Sequence, residues 1–166
     1  MRRPSHRPIT RRAATGLLAA AAAAPALPLH AARPLDVVAT TAMIADAVRN
    51  VGGDRAAAAA LMGPGVDPHA YRQTRSDIAR MLRADLVLWH GLYLEAQLQE
   101  FLLDLGTRRT VVAVAETGVP AERLLAHDDY ADQRDPHVWM DPRLWAHVVR
   151  RVADVLSDAD PEGRAD

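Results

Sequence analysis

Four short apolar segments recur along the chain, and each is followed, directly or after a loop, by residues with helical periodicity. The segments do not alternate strictly between apolar and polar positions, which is typical of strands that are covered on both faces of a sheet. Strands that are separated by helices pair in parallel, because each helix carries the chain back across the sheet. The sequence therefore predicts an α/β fold in which helices cover both faces of a parallel sheet. The predicted strands are 35–40, 56–62, 85–90 and 111–115.

Helix signals stand between and after these strands. Thr41 can cap the first helix, and Thr74 with Asp77 three residues later resembles a capping box for the second. The polar stretch 116–136 has no clear periodicity. The helices are expected to begin near residues 42, 75, 94 and 142. The apolar residues expected on their buried faces are Ile44, Val48, Val51, Ile78, Met81, Leu82, Leu98, Phe101, Leu102, Leu105, Leu144, Val148, Val149, Val152 and Leu156.

The first 32 residues have the pattern of an export signal. They contain five arginines and no acidic residue, and the apolar stretch 13–29 consists mostly of alanine. A basic start, an apolar stretch and small residues at 31–32 are the three parts of a secretory signal peptide. The pair Arg11-Arg12 would also fit a twin-arginine (Tat) signal. We expect residues 1–32 to be removed on export and residues 33–166 to form the folded domain.

Charge and cysteine content exclude several classes of protein. Without the five arginines of the signal, 15 basic residues stand against 21 acidic ones, so the exported domain is acidic. An acidic domain is not expected to bind nucleic acid. The chain has no cysteine, which excludes a disulfide framework, a cysteine-ligated metal site, a thiol nucleophile and a lipid-modified cysteine. We therefore expect a periplasmic or extracellular protein that is not anchored through a cysteine.

The tripeptide Asp-Pro-His occurs twice, each time in a loop where a ligand is expected. Residues 67–69 follow the second predicted strand, and residues 135–137 follow the fourth after the polar stretch. In open parallel sheets, ligands bind beyond the carboxyl ends of the strands. Proline restricts its own backbone and that of the preceding residue, so His69 and His137 each stand on a stiffened loop. Since neutral imidazole is a common ligand of divalent transition metals, both histidines are candidate metal ligands.

Carboxylates beside these histidines are candidates for orienting the imidazole rings. A carboxylate that accepts the second ring N–H of a ligand histidine fixes the orientation of that ring. We expect Asp67 to serve His69 in this way and Asp135 to serve His137. Asp141 is a further candidate at His137.

Two histidines do not complete a tetrahedral or larger coordination sphere. His90 ends a predicted strand, His127 lies in the polar stretch, and His147 lies beside the apolar stripe of the last helix. We expect a role other than metal ligand for each of these three. The sequence has no HExxH helix, EF-hand loop, GxSxG turn, P-loop or GxGxxG motif.

Four stretches of the chain resemble the metal-binding solute receptors of bacterial ABC importers for zinc, manganese and iron (the cluster 9, or A-1, family). In this family the histidine of each Asp-Pro-His motif binds the metal, which carries over to His69 and His137. The chain departs from the family at His90, where Asn usually precedes Gly-Leu. The stretches that carry the resemblance are 40–54, 61–71, 84–95 and 135–145.

The resemblance implies a receptor that captures zinc, manganese or iron outside the cytoplasm and delivers it to an ABC permease. Such receptors are not enzymes, because no bond of a substrate is made or broken. Family members have two α/β lobes with the metal between them, and the second lobe supplies the third and fourth ligands. Residues 33–166 match the N-terminal lobe of such a periplasmic binding protein. The resemblance therefore implies a truncated receptor with half of the expected ligands.

Three alternatives remain open from the sequence. The chain can be a remnant that keeps the fold of one lobe and binds metal only weakly. It can be a carrier that binds metal with one lobe, alone or as a dimer that shares ligands. It can also be a zinc-dependent hydrolase, in which the two histidines hold zinc and one of Asp67, Asp135 or Asp141 acts as general base.

Overall fold

The apolar segments form four parallel strands, which confirms the predicted sheet. The computed structural model describes residues 33–126 and 132–165. The strands are β1 (Leu35–Ala39), β2 (Ala56–Ala60), β3 (Leu86–Trp89) and β4 (Val111–Ala113). They have the order β2-β1-β3-β4, and each neighbouring pair is parallel. The signal predicted at residues 1–32 lies outside the described residues.

In the described residues, five α-helices connect and follow these strands. None of these helices is long and apolar enough to cross a membrane. Thr41 caps the first helix, where its hydroxyl accepts a hydrogen bond from the backbone N–H of Ile44. The predicted capping box is present in the second helix, since Thr74 and Asp77 exchange hydrogen bonds. The helices are α1 (Ala42–Gly52), α2 (Arg75–Arg83), α3 (Gln99–Gly106), α4 (Val114–Gly118) and α5 (Pro142–Ala159).

Helices cover both faces of the sheet, as the sequence predicts. Successive side chains of a strand point to opposite faces. Val37 of β1 packs with α1, α4 and α5 on one face, and Val38 packs with α2 and α3 on the other. The largest fully buried apolar side chains are Ile44, Met81, Leu88, Leu94, Leu98, Leu102 and Leu105.

Each strand is one or two residues shorter than predicted, and the third helix begins later. The third helix was expected from residue 94, but α3 begins at Gln99. The segment 91–98 forms turns instead, because the backbone N–H groups of Leu94 and Leu98 bond the carbonyls three residues earlier, of Gly91 and Glu95. Gly91, Leu92 and Tyr93 at its start have positive φ angles (80°, 56° and 64°). The fourth strand ends at Ala113 instead of residue 115. The backbone N–H of Ala115 bonds the carbonyl of His90 and α4 begins, which removes these residues from the strand ladder.

Two apolar residues that were predicted to be buried are exposed. The side chain of Leu82 is 48% exposed, and that of Val51 is 38% exposed. Only Met81 is buried among the residues of α2. A short helix against a sheet buries a narrow stripe, so the residue next to Met81 faces solvent.

An ion pair joins the start of the described chain to β3. The guanidinium of Arg33 donates to both carboxylate oxygens of Asp85, at 2.7 and 2.8 Å. The backbone N–H of Asp36 donates to the same carboxylate at 2.8 Å. These hydrogen bonds, the one from Arg33 first, lower the pKa of Asp85 to about 2. The ionised carboxylate therefore stabilises the fold.

We expect Asp85→Asn to lower the free energy of unfolding by about 1 kcal/mol at pH 7, after allowance for the partial exposure of the pair. Because the folded-state pKa of Asp85 is depressed, its contribution is present above the unfolded value of 3.8 and is lost as the pH falls toward 2. Urea unfolding between pH 2 and 7 measures this. The control is Asp104→Asn, which changes an exposed carboxylate on α3. A stability difference for Asp85→Asn that persists undiminished at pH 2 would contradict the account.

Candidate metal centre

The fold brings together the two histidines that the repeated tripeptide singled out. The first Asp-Pro-His loop follows β2, and the second directly precedes α5. The ring centroids of His69 and His137 lie 5.5 Å apart, with the ring planes tilted by 45°. Both residues are exposed at the surface, so a metal ion can reach their ring nitrogens from solvent.

Both tripeptides fold in the same way. The backbone N–H of His69 donates to Oδ1 of Asp67 at 2.9 Å, and the backbone N–H of His137 donates to Oδ1 of Asp135 at 2.9 Å. Asp favours this turn because its side chain reaches the backbone two residues further on. The intervening proline has no N–H that could compete for the carboxylate. The motif thus fixes the backbone from which each histidine projects.

Asp135 also contacts the ring of its histidine. Its Oδ1 lies 2.6 Å from Nδ1 of His137. This hydrogen bond leaves Nε2 as the ring nitrogen that faces away from the carboxylate. A contact between the carboxylate of Asp135 and the ring of His137 was expected from the general chemistry of histidine ligands.

The other two carboxylates make different contacts from those expected. Asp67 accepts the backbone N–H of His69 but makes no hydrogen bond to the His69 ring, so the two tripeptides differ in this respect. Asp141 was a candidate at His137, but its Oδ1 accepts the backbone N–H of Arg143 at 2.8 Å. Asp141 is the N-cap of α5 with proline at the next position, and such caps satisfy the free N–H groups of a helix start.

The first loop is tied to the start of α2. The hydroxyl of Tyr71 donates to Oδ2 of Asp77 at 2.7 Å, and the backbone N–H of Thr74 donates to the same oxygen at 2.8 Å. Burial, together with the hydrogen bond to Asp77, raises the pKa of Tyr71 to about 12. Burial alone would raise the pKa of Asp77, but the hydrogen bonds from Tyr71 and Thr74 lower it overall. The segment that carries His69 is therefore anchored just beyond the histidine.

The second loop rests on the end of β3. His90 follows that strand and is fully buried, and its Nε2 lies 2.7 Å from the carbonyl oxygen of Pro136. Burial lowers the pKa of His90 to about 4, so the ring is neutral at pH 7. The sequence analysis expected a role other than metal ligand here. The contact between the His90 ring and the second Asp-Pro-His motif was not predicted.

A buried carboxylate fixes the turn after β3. Glu95 accepts hydrogen bonds from the hydroxyl of Thr40 at 2.6 Å and from the backbone N–H of His90 at 2.8 Å. It also accepts the backbone N–H of Gly91 at 3.2 Å. Burial raises the pKa of Glu95, and these hydrogen bonds oppose that shift. Glu95 was not predicted as a residue of this site. Its one distinguishing feature in the sequence is that it is the single acidic residue of the mostly apolar segment 92–98.

Within residues 33–126 and 132–165, no other histidine joins the pair. His147 lies on α5, with Nε2 at 3.3 Å from the guanidinium of Arg123, and His127 lies outside the described residues. Across residues 33–126 and 132–165, no three or more His, Asp or Glu side chains are grouped so that they could hold a metal ion. The described part of the chain therefore presents two imidazoles, and a closed coordination sphere needs further ligands.

Comparisons with known proteins agree with this arrangement. The family model described as "ZnuA: Zinc-uptake complex component A periplasmic" matches residues 37–166. The "Manganese-binding lipoprotein MntA" of Bacillus subtilis is 39% identical over 128 residues, which cover 77% of this chain and 41% of that protein. The "Zinc-binding protein TroA" of Treponema pallidum is 44% identical over 124 residues, which cover 75% of this chain and 39% of that protein.

A third relative is named for iron. The "Iron-binding protein YfeA" of Yersinia pestis is 30% identical over 148 residues, which cover 89% of this chain and 46% of that protein. The chain thus spans less than half the length of each of these three relatives.

The fold comparison leads to the same proteins. The solved structure of the periplasmic zinc-binding protein TroA from Treponema pallidum superposes with a TM-score of 0.74 at 39% sequence identity, over 80% of this chain and 47% of that one. The parallel four-stranded sheet with its covering helices is thus shared with that protein. The family model and the relatives confirm the resemblance drawn from the four sequence stretches: the chain belongs to the ZnuA family of periplasmic metal-uptake components.

Proposed function

We propose that His69 and His137 are two ligands of one divalent transition metal ion. The observation that carries this proposal is the separation of their rings. A zinc–nitrogen bond of about 2.1 Å places each ring centroid about 3.2 Å from the ion, so two tetrahedral imidazole ligands have centroids about 5 Å apart. The centroids of His69 and His137 are 5.5 Å apart, close to that value.

The donor chemistry favours a particular group of metals. Two neutral imidazoles suit zinc and iron, whereas a set that is completed by carboxylates suits manganese. Relatives of this chain are named for manganese, zinc and iron. These names fit a ligand set in which the two histidines are common and the other ligands vary. We propose that the metal is zinc, manganese or iron, and that ligands from a second lobe select among them.

The site is open on the side where a second lobe would cover it. His137 borders a hollow that is also lined by Leu125 and Met140, whose side chains are 69% and 77% exposed. Exposed apolar side chains beside a half-complete ligand set fit a surface that another lobe covers. We therefore assign the chain to the N-terminal half of a metal receptor.

The transport role follows from the family. Its description names a component of a periplasmic zinc-uptake complex. We propose that residues 1–32 direct export, that the receptor captures its metal outside the cytoplasm, and that it passes the metal to an ABC permease. The metal is cargo in this scheme, and no covalent chemistry is involved.

We expect His69→Ala and His137→Ala each to weaken Zn²⁺ binding by about tenfold or more, because each removes a ligand of the same ion. The double variant should lose little beyond either single variant, since one remaining imidazole binds weakly. Isothermal titration calorimetry on the full chain measures these affinities. His147→Ala is the control, because His147 contacts Arg123 and lies outside the pair. Zn²⁺ binding that is unchanged in both single variants would overturn the assignment.

Asp135→Asn and Asp67→Asn form a matched pair of variants. In both, the amide oxygen can still accept the backbone N–H of the histidine and keep the turn. The same oxygen of Asp135 also accepts from the histidine ring. Asp135→Asn therefore replaces a charged acceptor of that ring by a neutral one and should weaken Zn²⁺ binding by about tenfold, and Asp67→Asn by clearly less. The same calorimetric titration compares them. An equal or larger loss for Asp67→Asn would show that the ring contact of Asp135 does not support the ligand.

A further inference from the structure

We infer that His90 is a positioning residue for the ligand His137, and that it acts through the peptide of Pro136. This inference rests on the proposed metal site but concerns a residue that does not itself bind the metal. His90 is buried beneath the second Asp-Pro-His loop. Its contacts reach the loop at two points, one polar and one aromatic.

The polar contact fixes the middle of the tripeptide. The carbonyl of Pro136 can only accept, so Nε2 of His90 carries the proton and donates at 2.7 Å. This carbonyl belongs to the peptide that leads directly into His137. It also accepts the backbone N–H of Val138 at 2.7 Å. The peptide group between Pro136 and His137 is thus held by a hydrogen bond from the buried side chain of His90.

The aromatic contact fixes the residues after the ligand. The ring of His90 meets that of Trp139 edge to face, with centroids 5.4 Å apart, and lies nearly parallel to that of Trp145 at 6.5 Å. Trp139 in turn lies 5.1 Å from the ring of His137. The imidazole of His90 is therefore linked to the ligand ring in two ways. One is its hydrogen bond to the carbonyl of Pro136, and the other is the series of ring contacts through Trp139.

His90 is itself held rigidly at the end of β3. Its backbone N–H donates to the buried carboxylate of Glu95 at 2.8 Å. Its carbonyl accepts the backbone N–H groups of Ala115 and Glu116 at 3.1 and 3.2 Å. The side chain thus projects from a backbone that is bonded on both sides. A ligand that is supported in this way keeps its geometry before metal arrives, and loss of such support typically costs 10- to 100-fold in metal affinity.

Three variants separate positioning from simple packing. His90→Leu keeps a similar buried volume and removes the donor. His90→Gln places an amide N–H near the position of Nε2 and can restore the bond to Pro136. Met81→Ala is the control, since Met81 is fully buried in the core on the opposite face of the sheet and its loss lowers stability without reaching the loop.

Zn²⁺ affinity of the full chain is measured by calorimetry at a temperature where circular dichroism shows each protein folded. We expect His90→Leu to lose about tenfold or more in Zn²⁺ affinity, and His90→Gln and Met81→Ala to stay within about threefold of the unmodified chain. An unchanged affinity in His90→Leu would overturn the inference. A loss in Met81→Ala as large as that in His90→Leu would overturn it as well, because the effect would then follow stability alone.

Nitrogen-15 NMR of the metal-free chain provides a readout that does not depend on metal binding. The Nδ1–H of His137 that bonds Asp135 should be seen in the unmodified chain and in His90→Gln, and should be lost in His90→Leu. Persistence of this signal in His90→Leu would overturn the positioning role. Should His90→Leu not fold, the tautomer of His90 in the unmodified chain decides: Nε2–H supports the inference and Nδ1–H overturns it. Absence of Zn²⁺ binding by the unmodified chain would instead refute the proposed metal site, and the NMR comparison would still test His90.

Discussion

Parallel pairing of β1 with β2 and with β3 places the carboxyl ends of three strands at one edge of the sheet. Thr40, the loop that carries His69, and His90 follow these three strand ends. In a parallel sheet this edge is where loops that are distant in the sequence meet. The polar stretch after β4 then returns the second Asp-Pro-His motif to the same edge, where Pro136 contacts His90. The pairing of the histidines depends on this strand arrangement.

The proposed metal centre consists of two layers over the end of the sheet. The upper layer contains the exposed histidines, held by matching turns of Asp67 and Asp135. The lower layer is buried and contains Thr40, His90 and Glu95. The carboxylate of Glu95 and Nε2 of His90 bond to the backbone of the turn and of the second loop, which offsets the cost of burying them. Nδ1 of His90 is buried without a hydrogen-bond partner among the described residues. We propose that this arrangement orders the two histidines and so reduces the entropy lost on metal binding.

The features that could be predicted from the sequence are those with a local signal. Apolar periodicity located the strands and most helices, and the repeated tripeptide located both histidines. The turns after β3 could not be predicted, because the left-handed backbone of Leu92 and Tyr93 has no local signature. The backbone N–H of Leu92 is held by the side chain of Glu116, which is distant in the sequence. The contact of His90 with Pro136 was missed for the same reason, since it joins loops that only the folded sheet brings together. Asp141 was expected at the ring of His137, but it is the N-cap of the helix that begins at Pro142, a role that was not predicted.

The most direct test of the account is anomalous X-ray diffraction at the zinc edge from crystals of the chain grown with Zn²⁺. Since Nδ1 of His137 is bonded to Asp135, the account predicts a zinc peak within about 2.1 Å of Nε2 of His137 and of one ring nitrogen of His69. A single ion that contacts both rings would establish the shared site. Zinc that binds to only one of the two histidines, or only elsewhere on the chain, would contradict it.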